Sequence, residues 1–313
     1  MSDSISRREL LRNVALTAAG VGLLACQRPA ADPAPRAREA AVPASPDEAR
    51  LRQWSATLRR DGMTLDRVPV GRSGTRVGEL AVGTPYEAFA LEAYLRAGGD
   101  PANEPLTLSL TKFDCVSLVE SCLAVSRVAD DPDAPSWENF SREMERMRYR
   151  NGVRTGYTSR LHYFSEWISD GVKRGLYQDL GAPLGGIADS RPLRFMTEHR
   201  ASYPALANDA VYREIGAMER SLDARPRHVI PTARIPEIQD RVESGDILAF
   251  ATSIPGLDVS HAAFAYRDPA GVLRVLHAPL AGGVVEVTRT TLPEYVAAIR
   301  RSMGILVARP LRA

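Results

Sequence analysis

Apolar residues fall at helical spacing over most of this chain and switch to short alternating runs in its last third. Ser45-Pro46-Asp47-Glu48 sets a hydroxyl cap, a proline at the first helical position and a glutamate at the third, and Leu51, Trp54 and Leu58 then share one face. The folded part is therefore expected to start near Ser45. Val77 to Val82 reads as a short strand, Thr84-Pro85 as the start of a helix through Tyr86, Phe89, Ala90 and Leu95 that Gly98-Gly99 ends, and Leu106 to Leu110 as a strand. The spacing predicts a helix from Cys115 to about Val128, with Leu118, Val119 and Cys122 on its apolar face, and another capped by Ser136 and running through Met147. Tyr157 to Arg160 reads as a loop. Leu161 to Lys173 follows as a helix burying Leu161, Phe164, Trp167 and Ile168, and Asp209 to Leu222 as a further one; the rest of 176–235 mixes glycine, proline and charge and predicts no element.

Asp246 to Ala251, His261 to Arg267, Val272 to His277 and Val284 to Thr288 read as successive strands of an antiparallel meander that turns at Asp268-Pro269-Ala270-Gly271. A helix from Pro293 to Arg301 and a last strand, Gly304 to Ala308, complete it. Helices first and a sheet later, without alternation, indicate an α+β fold. The turn also predicts a register. With a one-residue bulge, which Gly271 permits, Arg267 pairs with Gly271 and His261 lies directly opposite His277; without it the two histidines point to opposite faces.

At 313 residues, 44% hydrophobic and 25% charged, the chain has the composition of an ordinary globular protein, and its formal charge of +2 leaves no basic footprint for nucleic acid. The N-terminus is an address. Ser6-Arg7-Arg8-Glu9-Leu10-Leu11 resembles a twin-arginine export signal, and the apolar run Val14 to Ala25 is too short to cross a bilayer core of ~30 Å. Leu23-Leu24-Ala25-Cys26 resembles a lipoprotein box with Cys26 as the lipid acceptor. The expected organisation is a signal over 1–25, a flexible Ala/Pro/Arg tether over 26–44 and a single domain over 45–313, anchored by lipid to a membrane on its periplasmic side.

Lipidation at Cys26 leaves Cys115 and Cys122, seven positions apart on one helix and so about 10 Å apart along its axis, too far for a disulfide. Cys122 reads as a small core residue. Cys115 stands at a helix start, where free N–H groups and the helix dipole favour thiolate over thiol, with Asp114 as the expected cap. Cysteine hydrolysis also needs a base that takes and returns the proton and a group that orients the base. His261 and His277 can fill those roles. His199 and His228 carry no neighbouring motif and read as solvated, and Asp246 as a turn former.

Phe113-Asp114-Cys115, Gly245-Asp246-Ile247-Leu248-Ala249-Phe250, Ser260-His261-Ala262-Ala263-Phe264 and Leu276-His277-Ala278 resemble, in order, the motifs of the NlpC-type papain-like cell-wall hydrolases. Tyr157-Thr158-Ser159-Arg160-Leu161-His162-Tyr163-Phe164 resembles the signature of one branch, the N-acetylmuramoyl-L-alanine amidase-like family. The resemblance implies a papain-like core with the nucleophile helix packed on the meander, a catalytic Cys115, a base His261, an orienting His277, no cofactor or metal, and a peptidoglycan or muropeptide substrate. Where the superfamily often has glycine after the base histidine, Ala262-Ala263 stands here, small enough for the same close approach.

Residues 130–240 exceed a minimal core and are expected to form a mainly helical, substrate-selecting insertion, with Tyr157, Ser159, Arg160 and His162 lining the site and Arg160 forking onto a carboxylate. The leading expectation is an amidase cutting the muramoyl–L-alanine bond through a Cys115 thioester. Its rivals are a stem-peptide endopeptidase, a zinc site built from the same Cys and His residues, and a non-catalytic wall-binding lipoprotein.

Overall fold

The computed structural model describes residues 44–130, 135–280 and 283–312, so the export signal, Cys26 and nearly all of the tether lie outside the described residues. Residues Ala44–Ala313 form one compact unit. Its helices are α1 (Pro46–Arg60), α2 (Val70–Ala81), α3 (Ala93–Arg96), α4 (Cys115–Ala129), α5 (Trp137–Arg148), α6 (Phe164–Lys173), α7 (Phe195–Glu198), α8 (Asp209–Leu222), α9 (Ile235–Ile238) and α10 (Leu292–Ala298). Its strands are β1 (Tyr177–Asp179), β2 (Ile187–Asp189), β3 (Arg227–Pro231), β4 (Ile247–Thr252), β5 (Val259–Arg267), β6 (Leu273–His277), β7 (Glu286–Val287) and β8 (Ser302–Pro310). They make one antiparallel sheet in the order β2-β3-β8-β4-β5-β6-β7, with β1 also paired to β8.

The sheet is covered on both faces. One face, with Ala249, Phe264 and Leu276, packs under α1, α2, α4, α5 and α6; the other, with Leu248, Phe250, Ala263 and Val275, packs under α9 and α10. Double coverage explains why central β4 reads as unbroken Ile-Leu-Ala-Phe-Ala rather than as an alternation. A third cluster, including Tyr157, Tyr163, Leu206 and Ile215, sits beneath α8. Among the described residues, no helix is long and apolar enough to cross a membrane.

The α+β class and the meander agree with the sequence pattern, and three local expectations are corrected. Val77 to Val82 lies mostly inside α2, whose Gly71, Gly74 and Gly78 disguise it as a strand with turns. Those glycines are contact points: a Cβ at Gly71 would stand 2.6 Å from the Gly245 carbonyl oxygen, and one at Gly78 would stand 2.7 Å from a Leu276 methyl. The segment after Thr84 forms only a short 3-10 turn and α3, because Phe89 takes a left-handed conformation with φ of 59°.

Leu106 to Leu110 is extended but joins no ladder; side chains take its backbone groups instead. Leu110 N donates to Asp47 Oδ1 at 2.7 Å, Arg50 Nη1 to Leu110 O at 2.8 Å, and Arg148 Nη1 to Thr107 O at 2.7 Å. The described part of 130–240 is mainly helical, as expected, and β1, β2 and β3 also arise inside it and extend the sheet. The predicted start of α1 has its full capping box, Glu48 N on Ser45 Oγ and Ser45 N on Glu48 Oε2.

Candidate active site

Cys115 is the first residue of α4, and both neighbours fix it there. Phe113 is pinned through its backbone, donating to Pro85 O at 3.0 Å and accepting from Glu87 N at 2.9 Å. Asp114 closes a capping box, its Oδ1 accepting from Ser117 N at 2.7 Å while its own N–H donates to Ser117 Oγ at 2.9 Å. The thiol is half-buried. Backbone N–H groups of Ala262, Cys115 and Val116 favour its charged form, but burial and the Asp114 carboxylate outweigh them and push the thiol up to about 12. The sequence expectation of a lowered thiol pKa is thus corrected: desolvation exceeds the helix-start effect.

His261 reaches the site through a bulge. Phe250 pairs with His261 but Ala251 pairs with Val259, so Ser260 is the extra residue in β5, and the irregularity re-aims the side chains on either side of it. Cys115, His162, Trp167, Asp258, Ser260 and His261 share the walls of one cavity of about 160 Å³. The His261 ring stacks on Phe250 with centroids 5.7 Å apart. Its Nε2 lies 2.8 Å from Nδ1 of His277, a ring only 1% exposed. Burial pushes His261 down to about 4, and burial with the neighbouring ring pushes His277 down to about 3, so both are neutral at pH 7.

The hairpin register is corrected. Arg267 pairs with Leu273 and Phe264 with Leu276, so the turn takes five residues and His277 stands diagonal to His261, not directly across from it. The pairing keeps the predicted parity, and a diagonal step on one face still lets two imidazoles meet.

Of the four residues expected to line a substrate site, only His162 reaches the cavity wall, with Nε2 2.9 Å from Tyr157 O and burial holding it well below the ordinary histidine range. Tyr157 is 1% exposed. Ser159 turns its hydroxyl onto Gly156 O at 2.6 Å. Arg160 is buried, pairs with Glu92, lies 3.2 Å from Glu104 Oε1 and covers the Tyr157 ring at 4.9 Å. Its expected fork onto a substrate carboxylate is therefore corrected: both acidic partners are internal. Asp246 is likewise structural, holding Arg309 by bonds of 2.7 and 2.8 Å.

Three site residues escaped the sequence reading. Asp258, buried with its carboxyl raised by desolvation, accepts from Ser165 N at 2.7 Å at the start of α6 and forms part of the cavity wall. Tyr295 of α10 places its hydroxyl 3.3 Å from His277 Nδ1. Glu286 of β7 pairs with His277 across the ladder. None carries a local motif; each is placed by the sheet. A second cavity, of about 370 Å³, opens on the Asp114 side of α4 between Phe89, Arg96, Lys112, Phe113 and Met144. Among the described residues, no group of three or more His, Cys, Asp or Glu side chains is arranged to hold a metal ion.

A half-buried thiol at a helix start, sharing a cavity with a histidine that contacts a second histidine, makes a hydrolase-like site on an α+β scaffold. A family model described as N-acetylmuramoyl-L-alanine amidase-like (AmiA-like) matches residues 76–305, and the chain belongs to that family. It is 31% identical to an N-acetylmuramoyl-L-alanine amidase from Bacteroides uniformis of known crystal structure, over 78% of this chain and 99% of that one, with a TM-score of 0.70. A Bacteroides fragilis protein described as a putative xylanase is 33% identical over 74% of this chain and 99% of its own, with a TM-score of 0.68. A Legionella pneumophila protein at 20% identity, covering 85% of this chain and 94% of its own, shares the fold with a TM-score of 0.60. No functionally curated protein matches the chain.

Proposed function

We propose that this protein is a cell-envelope cysteine amidase, of the NlpC-type papain-like kind, that hydrolyses the muramoyl–L-alanine amide bond of peptidoglycan or its fragments. The observation that carries the reading is the 2.8 Å contact from His261 Nε2 to His277 Nδ1, which leaves His261 Nδ1 for the thiol on the wall of the same cavity. Family membership supplies the bond class. Thiol and imidazole suit acyl transfer, whereas glycoside hydrolysis generally uses a facing pair of carboxylates. Among the described residues, Asp258 is the one carboxylate lining the Cys115 cavity, and it already caps α6.

In the first step His261 Nδ1 takes the thiol proton as sulfur bonds to the lactyl carbonyl carbon. Backbone N–H groups at the start of α4 face the developing oxyanion. The C–N bond then breaks, the imidazolium returns its proton to the departing L-alanine amine, and a Cys115 thioester remains. Water, deprotonated by the same nitrogen, attacks the thioester and releases the muramic carboxylate and the thiol. With the resting thiol and imidazole both neutral, proton transfer accompanies attack rather than preceding it.

The larger cavity beside Asp114 receives the stem peptide. The Arg96 guanidinium lies 4.9 Å over the exposed Phe89 ring at its rim, a cation available to a peptide carboxylate. Export by the twin-arginine route and lipid attachment at Cys26 place the enzyme beside its substrate.

Digestion of purified muropeptides with wild type and Cys115→Ala, read by mass spectrometry, tests the assignment. Free peptides headed by L-alanine, released by wild type alone, are expected. L-alanine retained on the sugar would make the enzyme an endopeptidase, and binding without hydrolysis by the wild type would make it a wall-binding protein.

A further inference from the structure

His277 has two ring nitrogens in two different settings. Nδ1 faces His261 Nε2 at 2.8 Å and the Tyr295 hydroxyl at 3.3 Å. Nε2 is buried without a hydrogen bond, and the Glu286 carboxylate stands 3.5 Å from it, just beyond bonding length. A neutral imidazole carries one proton, so the two settings are coupled. If His277 carries it on Nε2, its Nδ1 lone pair accepts from His261 Nε2–H, and Nδ1 of His261 is left unprotonated and able to act as a base. If His277 carries it on Nδ1, that N–H donates to His261 Nε2, the His261 proton moves to Nδ1, and the nitrogen on the thiol side is blocked.

The choice of tautomer on His277 thus decides whether His261 can take a proton. Among the described residues, His261, Tyr295 and Glu286 are the polar groups that meet the ring, from β5, α10 and β7. The Tyr295 hydroxyl both donates and accepts, so it fits either tautomer. A carboxylate only accepts, and it favours Nε2–H. We propose that Glu286 is a positioning residue that holds His277 as the Nε2–H tautomer and thereby keeps His261 Nδ1 free as the base; this rests on the Cys115–His261 reading above. The Glu286 side chain is 47% exposed and sits directly across the ladder from His277, so a small rotamer change brings its oxygen to bonding length without disturbing the core.

The test uses the full chain labelled with ¹⁵N-histidine. Long-range nitrogen–proton couplings report which nitrogen of each ring bears hydrogen, with no substrate present. Wild type is expected to show Nε2–H on both His261 and His277. Glu286→Lys places a donor against Nε2 and is expected to move both protons to Nδ1, lowering kcat about 100-fold, the lower end for loss of a general base, with KM little changed. Glu286→Gln keeps an accepting oxygen and is expected to retain the wild-type tautomers and most of kcat. An Nδ1–H form of His277 in wild type, or unchanged tautomers and kcat in Glu286→Lys, would overturn the proposal. Failure of the amidase reading appears separately, as muropeptides left intact by wild type while the tautomer pattern stands.

Discussion

His261 and His277 meet across a diagonal of the β5–β6 ladder, Nε2 to Nδ1 at 2.8 Å, in a setting that keeps both rings uncharged. Burial takes His261 from its ordinary 6.5 to about 4 and lifts Cys115 to about 12. With His261 as the proposed base, hydrolysis needs it unprotonated, so kcat/KM is expected to hold through pH 6.5 and to fall only as pH drops through about 4. At pH 7 the resting thiolate is on the order of one part in 10⁵, so iodoacetamide should alkylate Cys115 more slowly than a free cysteine. An acid limb near 6.5 together with rapid alkylation at pH 6 would mean a preformed thiolate–imidazolium pair.

The same shifts make stability depend on pH with a definite sign. For His261 and His277 the folded pKa lies below the unfolded value, so the unfolded chain binds protons first as pH falls. Their contribution is fully present above about 6.5 and is lost progressively towards 4 and then 3. Urea midpoints should fall over that window in wild type. In a His261→Gln/His277→Gln double variant the slope should be shallower, whatever its stability at pH 7.

Much of this site was legible in the chain because its parts are local. Asp114 and Ser117 cap α4 through neighbours in sequence, and the parity of the Asp268 turn placed both histidines on one face. What was missed depends on distant packing. The predicted bulge belonged to the β5–β6 turn, yet the irregularity lies on the other edge of β5, at Ser260, where β4 and not the turn sets the register. Arg160 reads as a substrate-facing fork because its partners, half-buried Glu92 and buried Glu104, lie more than fifty residues away in the chain. α2 was hidden because its glycines answer to the sheet beneath it rather than to helix propensity.

Gly71→Ala tests that last point. Alanine is the better helix former by about 1 kcal/mol, so an unconstrained helix would gain. Here the added Cβ meets the Gly245 backbone, with O at 2.6 Å and C at 2.9 Å, and Gly245 has a φ of 95° that fixes the turn into β4. Overpacking against backbone costs about 1–3 kcal/mol, and the net effect is expected to be destabilising by up to about 2 kcal/mol. A rise in the urea midpoint would show that α2 does not sit that close to the turn.

Arg160→Ala should act on folding rather than on substrate recognition. It leaves Glu104, almost wholly buried, and Glu92 without their shared cation. Breaking a buried pair by removing one partner costs about 3–5 kcal/mol. Arg160→Lys keeps the charge but not two directed donors, and should lie between. In both variants KM of the folded fraction is expected to stay within about twofold of wild type, which is less than 0.5 kcal/mol of binding. A large KM increase at unchanged thermal midpoint would restore Arg160 to the substrate site.

Arg96 is the cation expected to meet substrate. Its guanidinium over Phe89 stands at the mouth of the larger cavity, on the Asp114 side of α4. Phe89 holds that position only by taking a left-handed backbone conformation, which costs a bulky residue about 1 kcal/mol or more. Arg96→Ala should therefore raise KM about tenfold for muropeptides with free stem carboxylates, equivalent to ~1.4 kcal/mol, and leave kcat unchanged. Against a substrate whose stem carboxylates are amidated, variant and wild type should match. Equal KM rises on both substrates would assign Arg96 to shaping the rim through Phe89, and no rise on either would place the stem peptide outside this cavity.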